Sequence, residues 1–122
     1  MIRPMEPTRD GPQLAVERLQ EDGAQVIELV GELDLGSIPE FDRALDAAAG
    51  AAVICLDLSR LDFIDSTGLA GIVRAHQRTA QAGGALTIVA PLGIVRRTLE
   101  TSGLMQILRV VDDRAAALRG VA

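Results

Sequence analysis

The residues best suited to carry chemistry are Asp65-Ser66-Thr67-Gly68. They stand at the point where an apolar stretch ends and apolar residues begin to recur at helical spacing. A hydroxyl at the start of a helix can act as an N-cap, because its oxygen accepts a hydrogen bond from a free backbone N–H and stabilises the helix by about 1 kcal/mol. A hydroxyl in this place can also carry a phosphate, since free N–H groups and the positive end of the helix dipole favour negative charge. The two roles are compatible, and both are open for Ser66.

Two elements must hold this serine in place. Residues 52–58 form an apolar run broken only by Asp57, which is typical of a strand that is covered on both faces of a sheet. We expect the chain to turn through residues 59–62. A helix then runs from Thr67 to about Ala82, and its apolar stripe contains Leu69, Ile72 and Val73.

The first part of the chain predicts a hairpin followed by a helix. Residues 14–19 form a weak strand and residues 25–33 a stronger one, and the turn signal Glu21-Asp22-Gly23 joins them. A helix over residues 38–49 follows, because apolar residues recur at helical spacing and Ser37-Ile-Pro-Glu40 has the pattern of a capping box.

The second part of the chain alternates strands and helices. In order, these are a strand over residues 85–90, a helix through Leu92, Val95 and Leu99 that ends at Gly103, a strand over residues 107–111, and a closing helix that Asp112 caps and that runs through Leu118. This alternation favours an α/β fold with parallel strand pairs, and the hairpin makes the sheet mixed. Residues 1–12 contain prolines and alternating charge, so we expect a flexible N-terminal arm before a single domain of residues 13–120.

Composition argues against several classes of function. Twelve basic and 17 acidic residues give a net charge of −5, and aromatic residues make up only 2%, so nucleic acid is not expected as a direct partner. No apolar run is long enough for a membrane span and the N-terminus lacks the core of a signal peptide, so we expect a cytoplasmic protein.

The sequence also lacks the groups that an enzyme would need. There is no glycine-rich phosphate loop with its lysine, and no nucleophile, base and orienting acid stand at recognisable spacing. We therefore expect no enzyme activity, no catalytic residue, no cofactor and no metal site. Cys55 and His76 are interpreted as packing residues, and Arg96 and Arg97 as solvated ones.

A family signature is carried by residues 57–69, which are Asp-Leu-Ser-Arg-Leu-Asp-Phe-Ile-Asp-Ser-Thr-Gly-Leu. This run resembles the signature of the STAS domain and, within that family, of the bacterial anti-sigma factor antagonists. Two more stretches match in order, Gly31-Glu-Leu-Asp-Leu35 and Thr101-Ser-Gly-Leu104, so the resemblance spans roughly residues 14–119. It implies a STAS-like α/β fold with a mixed sheet of four to five strands and about four helices packed mainly on one face. Ala70 departs from the glycine that the family commonly has there.

The resemblance also implies a function and its residues. In this branch, the serine after the aspartate is phosphorylated by a partner that is both an anti-sigma factor and a serine kinase, and that partner holds the ATP. Here the serine is Ser66. Its phosphorylation would end binding to the partner, and a phosphatase would remove the phosphate and reset the switch. The expected partner-binding residues are Asp34, Asp65, Ser66, Thr67, Gly68 and Leu69.

Alternatives stand beside these assignments. Asp34 and Asp65 either orient the serine or meet the partner, or each of them only braces its own turn. Gly68, Leu69 and Gly71 either admit a partner or pack the helix on its own sheet. For the whole protein, the alternative is a STAS subunit without a switch, built into a lipid-transport or stress-sensing complex, in which Ser66 is only a cap.

Overall fold

The computed structural model describes residues 13–119, so the arm predicted for residues 1–12 and residue 120 lie outside the described residues. The strands are β1 (Leu14–Glu21), β2 (Ala24–Leu33), β3 (Val53–Ile64), β4 (Ala85–Val89) and β5 (Arg109–Val111). They form one sheet in the order β1-β2-β3-β4-β5, in which β1 is antiparallel to β2 and the other pairs are parallel.

Within residues 13–119, four α-helices and one 3-10 turn accompany the sheet. They are α1 (Ile38–Ala47), α2 (Ser66–Gln81), α3 (Ile94–Thr101), the turn Leu104–Gln106, and α4 (Arg114–Leu118). The predicted α/β class, the mixed sheet and the number of strands are confirmed.

The opening hairpin is tight because its two loop residues adopt the left-handed conformation. Asp22 has φ 52° and Gly23 has φ 84°, which suits the two-residue turn that matches the twist of antiparallel strands. The register runs without a shift from Leu14 opposite Gly31 to Glu21 opposite Ala24. The predicted hairpin is therefore confirmed.

Helices α1, α2 and α3 bury their apolar stripes against one face of the sheet. That core contains Phe41 from α1, Ile72 from α2 and Leu99 from α3, together with Ile54 and Leu56 from β3. His76 of α2 is half-buried, in agreement with its interpretation as a packing residue. Three of the four described helices thus share one face of the sheet.

Helix α4 covers part of the opposite face. Its Ala117 and Leu118 pack with Ala24, Val26, Cys55 and Val89. Cys55 is fully buried, and burial raises the pKa of its thiol from 9.0 to about 11. The thiol is therefore protonated at neutral pH and packs as a small apolar group.

The predicted turn through residues 59–62 is wrong, because β3 continues through this stretch to Ile64. The register with β2 shifts twice along it, and each time β3 contributes one residue more than β2. Such bulges keep a strand paired while they disturb the alternation of apolar and polar residues. That disturbance is why the sequence pattern suggested a turn.

The capping box predicted for α1 is also wrong, although the helix begins at Ile38 as expected. The Ser37 hydroxyl donates to the Glu32 carbonyl at 2.7 Å and accepts from the Asp34 amide at 3.0 Å. Ser37 is buried, so its hydroxyl satisfies backbone groups of the preceding loop and not the first turn of the helix.

Helix α4 begins one residue later than predicted. Asp113 caps it, with Oδ1 accepting from the Ala116 amide at 2.8 Å. Asp112 instead pairs with Arg96 of α3, whose guanidinium also donates to the Ala90 carbonyl at 2.9 Å. Only 17% of the Arg96 side chain is exposed, so the prediction of a solvated Arg96 is wrong.

The aspartate that interrupts the apolar run of β3 is paired in the fold. Asp57 is only 3% exposed, and its Oδ2 accepts from Arg114 Nε at 3.0 Å and from Nη2 at 2.9 Å. The same guanidinium contacts Glu28 at 3.1 Å and Glu21 at 3.3 Å. Because Arg114 is the first residue of α4, one side chain ties this helix to three strands.

Replacing Arg114 with alanine should lower the free energy of unfolding by about 3 kcal/mol, because Asp57 would stay buried without its cation. Urea denaturation measures the loss. The matched control is Arg43→Ala, since the Arg43 side chain is 68% exposed and pairs with Glu40 one turn away, and a change below about 0.5 kcal/mol is expected. A small and equal loss for both variants would contradict the role given to Arg114.

Stability should fall at alkaline pH through a single side chain. All 12 basic residues are arginines and there is no tyrosine, so Cys55 is the side chain that titrates between pH 9 and pH 11. Its raised pKa means that its contribution to stability is complete below pH 9 and is lost as pH rises towards 11, by about 2 to 3 kcal/mol. Urea denaturation across this range measures the loss. In Cys55→Ala the same pH range should give a flat profile, and an unchanged slope would refute the assignment.

Candidate functional site

The site lies where β2 and β3 end side by side. Leu33 and Ile64 are paired at the last position of the two strands, and the Asp65 amide donates to the Leu33 carbonyl at 3.2 Å. The carboxyl ends of parallel strands meet at one edge of a sheet, where loops are free to carry function. The loop after β2 and the start of α2 are therefore neighbours.

Asp65 is the N-cap of α2, so the capping role considered for Ser66 belongs to the preceding residue. The backbone of Asp65 is extended, and its Oδ1 accepts from the Gly68 amide at 2.9 Å. Its Oδ2 accepts from the Leu35 amide at 3.4 Å, which joins the loop after β2 to the helix start. This carboxylate braces the helix and links the two loops.

Ser66 is the first residue of α2 and is exposed to solvent. Among the described residues, no hydrogen bond engages its hydroxyl. The first turn of a helix leaves backbone N–H groups without intrahelical partners, so the hydroxyl stands at the positive end of a 16-residue helix. The position suits a group that receives negative charge.

Asp34 lies in the loop that Asp65 contacts, so the two loops meet as the family resemblance implied. The Asp34 carboxylate, however, is turned to its own loop, where Oδ1 accepts from the Ser37 amide at 3.1 Å. The bracing alternative therefore accounts for the contact of Asp34, whereas Asp65 braces its own helix start and also joins the loop after β2.

Two glycines of α2 are required by the packing of the chain on itself. A Cβ on Gly68 would lie 2.5 Å from the Leu33 carbonyl oxygen and 2.8 Å from Ile64 Cγ1. A Cβ on Gly71 would lie 2.6 Å from Ile38 Cδ1 of α1. Both glycines are buried, so the packing alternative accounts for their small size.

Thr67 and Leu69 complete the set of predicted site residues. Both are half-buried, and Leu69 packs against the main core while it also borders the surface. The structure thus brings Asp65, Ser66, Thr67 and Leu69 together at the start of α2, with the Asp34 loop beside them.

Three exposed apolar side chains at the same edge were missed by the sequence reasoning. Leu35 is 73% exposed in the loop after β2, and Leu92 (89%) and Ile94 (59%) follow β4. We call these residues the strand-end patch. They follow β2 and β4, whose carboxyl ends share one edge of the sheet, and a contiguous exposed apolar patch is typical of a protein interface. Two of them had no signal in the sequence. Leu35 continues the alternating apolar pattern of β2, and the apolar spacing of Val95 and Leu99 placed Leu92 in the helix, which begins only at Ile94.

Arg97 is exposed, as predicted, and it lines a shallow groove between α2 and α3. The groove has a volume of about 350 Å³, and its lining consists of Leu69, Ile94, Arg97, Thr98, Thr101 and Ser102. Ser66 precedes Leu69 by one helical turn, so one residue of the groove lies on the same side of α2 as the serine.

A family model described as the STAS domain matches residues 15–117. The chain belongs to the STAS domain family. The recognition of this family from residues 57–69 is therefore confirmed. No helix among residues 13–119 is both long and apolar enough to cross a bilayer.

Among individual proteins of this family, the chain is similar to regulators of sigma factors. It is 31% identical over 108 residues to an anti-sigma F factor antagonist of Paenibacillus polymyxa, which covers 86% of this chain and 92% of the relative. The crystal structure of an anti-sigma factor antagonist from Mycobacterium paratuberculosis superposes with a TM-score of 0.82 at 24% identity, over 88% of this chain and 93% of that one.

A third relative has been solved with a modification. The phosphorylated form of the Bacillus cell fate determinant SpoIIAA matches with a TM-score of 0.63 at 24% identity, over 84% of this chain and 96% of that one. At this identity the likeness is one of fold.

Gly68→Ala should lower the free energy of unfolding by about 2 kcal/mol, although alanine favours a helix, because the added methyl group meets the backbone of β2. Thermal or urea denaturation measures the loss. Gly71→Ala is the matched comparison and should cost less, since its nearest atom is the end of the flexible Ile38 side chain. If Gly68→Ala were as stable as the unchanged protein, the close approach of α2 to β2 would be refuted.

Proposed function

We propose that this protein is an anti-sigma factor antagonist controlled by phosphorylation of Ser66. In the unphosphorylated state it binds an anti-sigma factor that is also a serine kinase, and the sigma factor is released. Phosphate on Ser66 ends the binding. The observation that carries the proposal is an exposed hydroxyl at the start of α2, beside exposed apolar side chains of the neighbouring loops.

The strand-end patch supports a partner surface around this hydroxyl. Leu35, Leu92 and Ile94 expose apolar area to water. The Leu35 amide contacts the Asp65 carboxylate, and Ile94 shares a groove with Leu69, one helical turn after Ser66. Burial of these side chains would supply the affinity, with Ser66 inside the buried area. Asp34, Asp65 and Thr67 would form the rest of the contact region, whereas Gly68 is buried against β2 and is no longer included.

The switch is electrostatic. A phosphoserine adds about −1.5 to −2 charges at neutral pH, and the start of a helix tolerates that charge through backbone N–H groups. A partner surface must desolvate the charge and meet it beside Asp34 and Asp65. A penalty of about 3 kcal/mol weakens binding roughly a hundredfold, which is enough to toggle a micromolar complex.

The chain acts in this scheme as a substrate and not as an enzyme. The kinase partner supplies both the ATP and the catalytic groups, and a phosphatase restores the free hydroxyl. Among residues 13–119, no three His, Cys, Asp or Glu side chains are grouped to hold a metal ion. Since a sigma factor acts on RNA polymerase, the proposed complex works in the cytoplasm.

Ser66→Ala should bind the cognate anti-sigma kinase whether or not ATP is present, and Ser66→Asp should bind at least tenfold more weakly. Calorimetric titration of the partner measures both affinities. Ser59→Ala is the control, because Ser59 is also an exposed serine but lies in β3, and this variant should bind as the unchanged protein does. Equal affinities of the alanine and aspartate variants would count decisively against the switch.

Mass measurement after incubation with ATP and the kinase separates this proposal from the subunit alternative. The switch requires one added phosphate that Ser66→Ala abolishes. A STAS subunit without a switch would remain unmodified. Phosphate on Thr67 would move the assignment by one residue.

A further inference from the structure

Two adjacent arginines of α3 have different environments. Arg96 is held by the Ala90 carbonyl, Asp112 and Glu100, and its side chain is largely covered. Arg97 is exposed, and within residues 13–119 no carboxylate forms an ion pair with it. Its guanidinium is therefore available for another anion, and the groove that it lines also contains Leu69, one helical turn after Ser66.

We propose that Arg97 receives the phosphate of Ser66 across this groove and closes the groove over Leu69 and Ile94. The inference rests on the proposed function, because it concerns the phosphorylated state of the same serine. The phosphate then acts in two ways. It adds charge to the surface, and its pairing with Arg97 covers an apolar area.

The placement of Leu69 supports this contact. Ser66 and Leu69 are one turn apart on the same side of α2, and Leu69 and Arg97 line opposite walls of one groove. The groove is small, about 350 Å³, and Arg97 has a long side chain on one of its walls.

The chemistry of the pair favours arginine. A guanidinium presents two parallel N–H groups that match two phosphate oxygens, and such charge-assisted bonds are stronger than neutral ones. The competing anions near Ser66 are Asp34 and Asp65, and both already accept backbone N–H bonds. We therefore expect Arg97 to pair with the doubly charged phosphate and not with either carboxylate.

The surface that a partner meets at this groove differs between the unmodified and the phosphorylated protein. In the unmodified protein the groove offers Leu69 and Ile94, with Arg97 free at its wall. In the phosphorylated protein, the same arginine spans the groove and is no longer available to a carboxylate of the partner. The phosphorylated surface therefore loses apolar area and a cation together.

The test uses protein in which phosphoserine is incorporated at position 66 during synthesis, so that no kinase is needed. A ³¹P NMR titration gives the second pKa of the phosphate. A nearby cation favours the dianion, so Arg97→Gln should raise that pKa by roughly 0.5 units, and Arg97→Lys should restore part of the difference.

Arg78→Gln is the matched control. Arg78 is also exposed on α2 but lies 12 residues after Ser66, about 18 Å along the helix, and it pairs with Asp46 of α1. Its replacement should leave the phosphate pKa unchanged. Methyl resonances of Leu69 and Ile94 should shift on phosphorylation in the unchanged protein and much less in Arg97→Gln.

The inference is overturned if Arg97→Gln and Arg78→Gln give the same phosphate pKa as the unchanged protein. It is also overturned if the methyl shifts persist without Arg97. Neither result bears on whether a kinase modifies Ser66, which the mass measurement decides separately. A failed kinase reaction with a shifted pKa would sink the proposed function and leave the pairing intact.

Discussion

The close approach of the first turn of α2 to the end of β2 is the constraint on which the site depends. Asp65 donates its amide to the Leu33 carbonyl, and Gly68 leaves room for the same oxygen because it lacks a Cβ. The Asp65 carboxylate then holds the helix start with one oxygen and the neighbouring loop with the other. Ser66 is fixed between these contacts, although its own hydroxyl takes part in none of them among the described residues.

The opposite side of the sheet is held by charge. Asp57 points away from the main core, and Arg114 brings α4 over it with Glu28 and Glu21 as further partners. A buried carboxylate is tolerable only with such a partner, so α4 has one well-defined place on the sheet. The serine and the ion pair belong to different faces, which allows the surface near Ser66 to vary without loosening α4.

The elements with regular apolar spacing could be predicted from the sequence. The hairpin, α1 and α2 depend on local turn chemistry and on stripes that the sequence displays directly. The continuation of β3 could not be predicted, because its bulges disturb the alternation that marks a strand. The same holds for Ser37 and Arg96, whose partners are set by tertiary contacts that no local pattern contains.

At the site, sequence similarity and geometry each contributed a different part. The motif singled out Ser66, whereas the cap role of Asp65 and the exposed Leu35, Leu92 and Ile94 became visible only in three dimensions. Many residues can cap a helix, and a leucine in a loop has the same local signature whether it is buried or exposed. Only the arrangement of strand ends decides which of them face the solvent together.

The position of Ser66 in the first turn of a long helix bears on the stability of the folded domain. The helix dipole favours a negative group at this position. The folded state is therefore expected to be as stable with a phosphate on Ser66 as with the free hydroxyl. Under the proposed phosphorylation, the domain would pass through many rounds of modification and removal without unfolding between them. The amount of folded protein would then stay constant while its binding state changes.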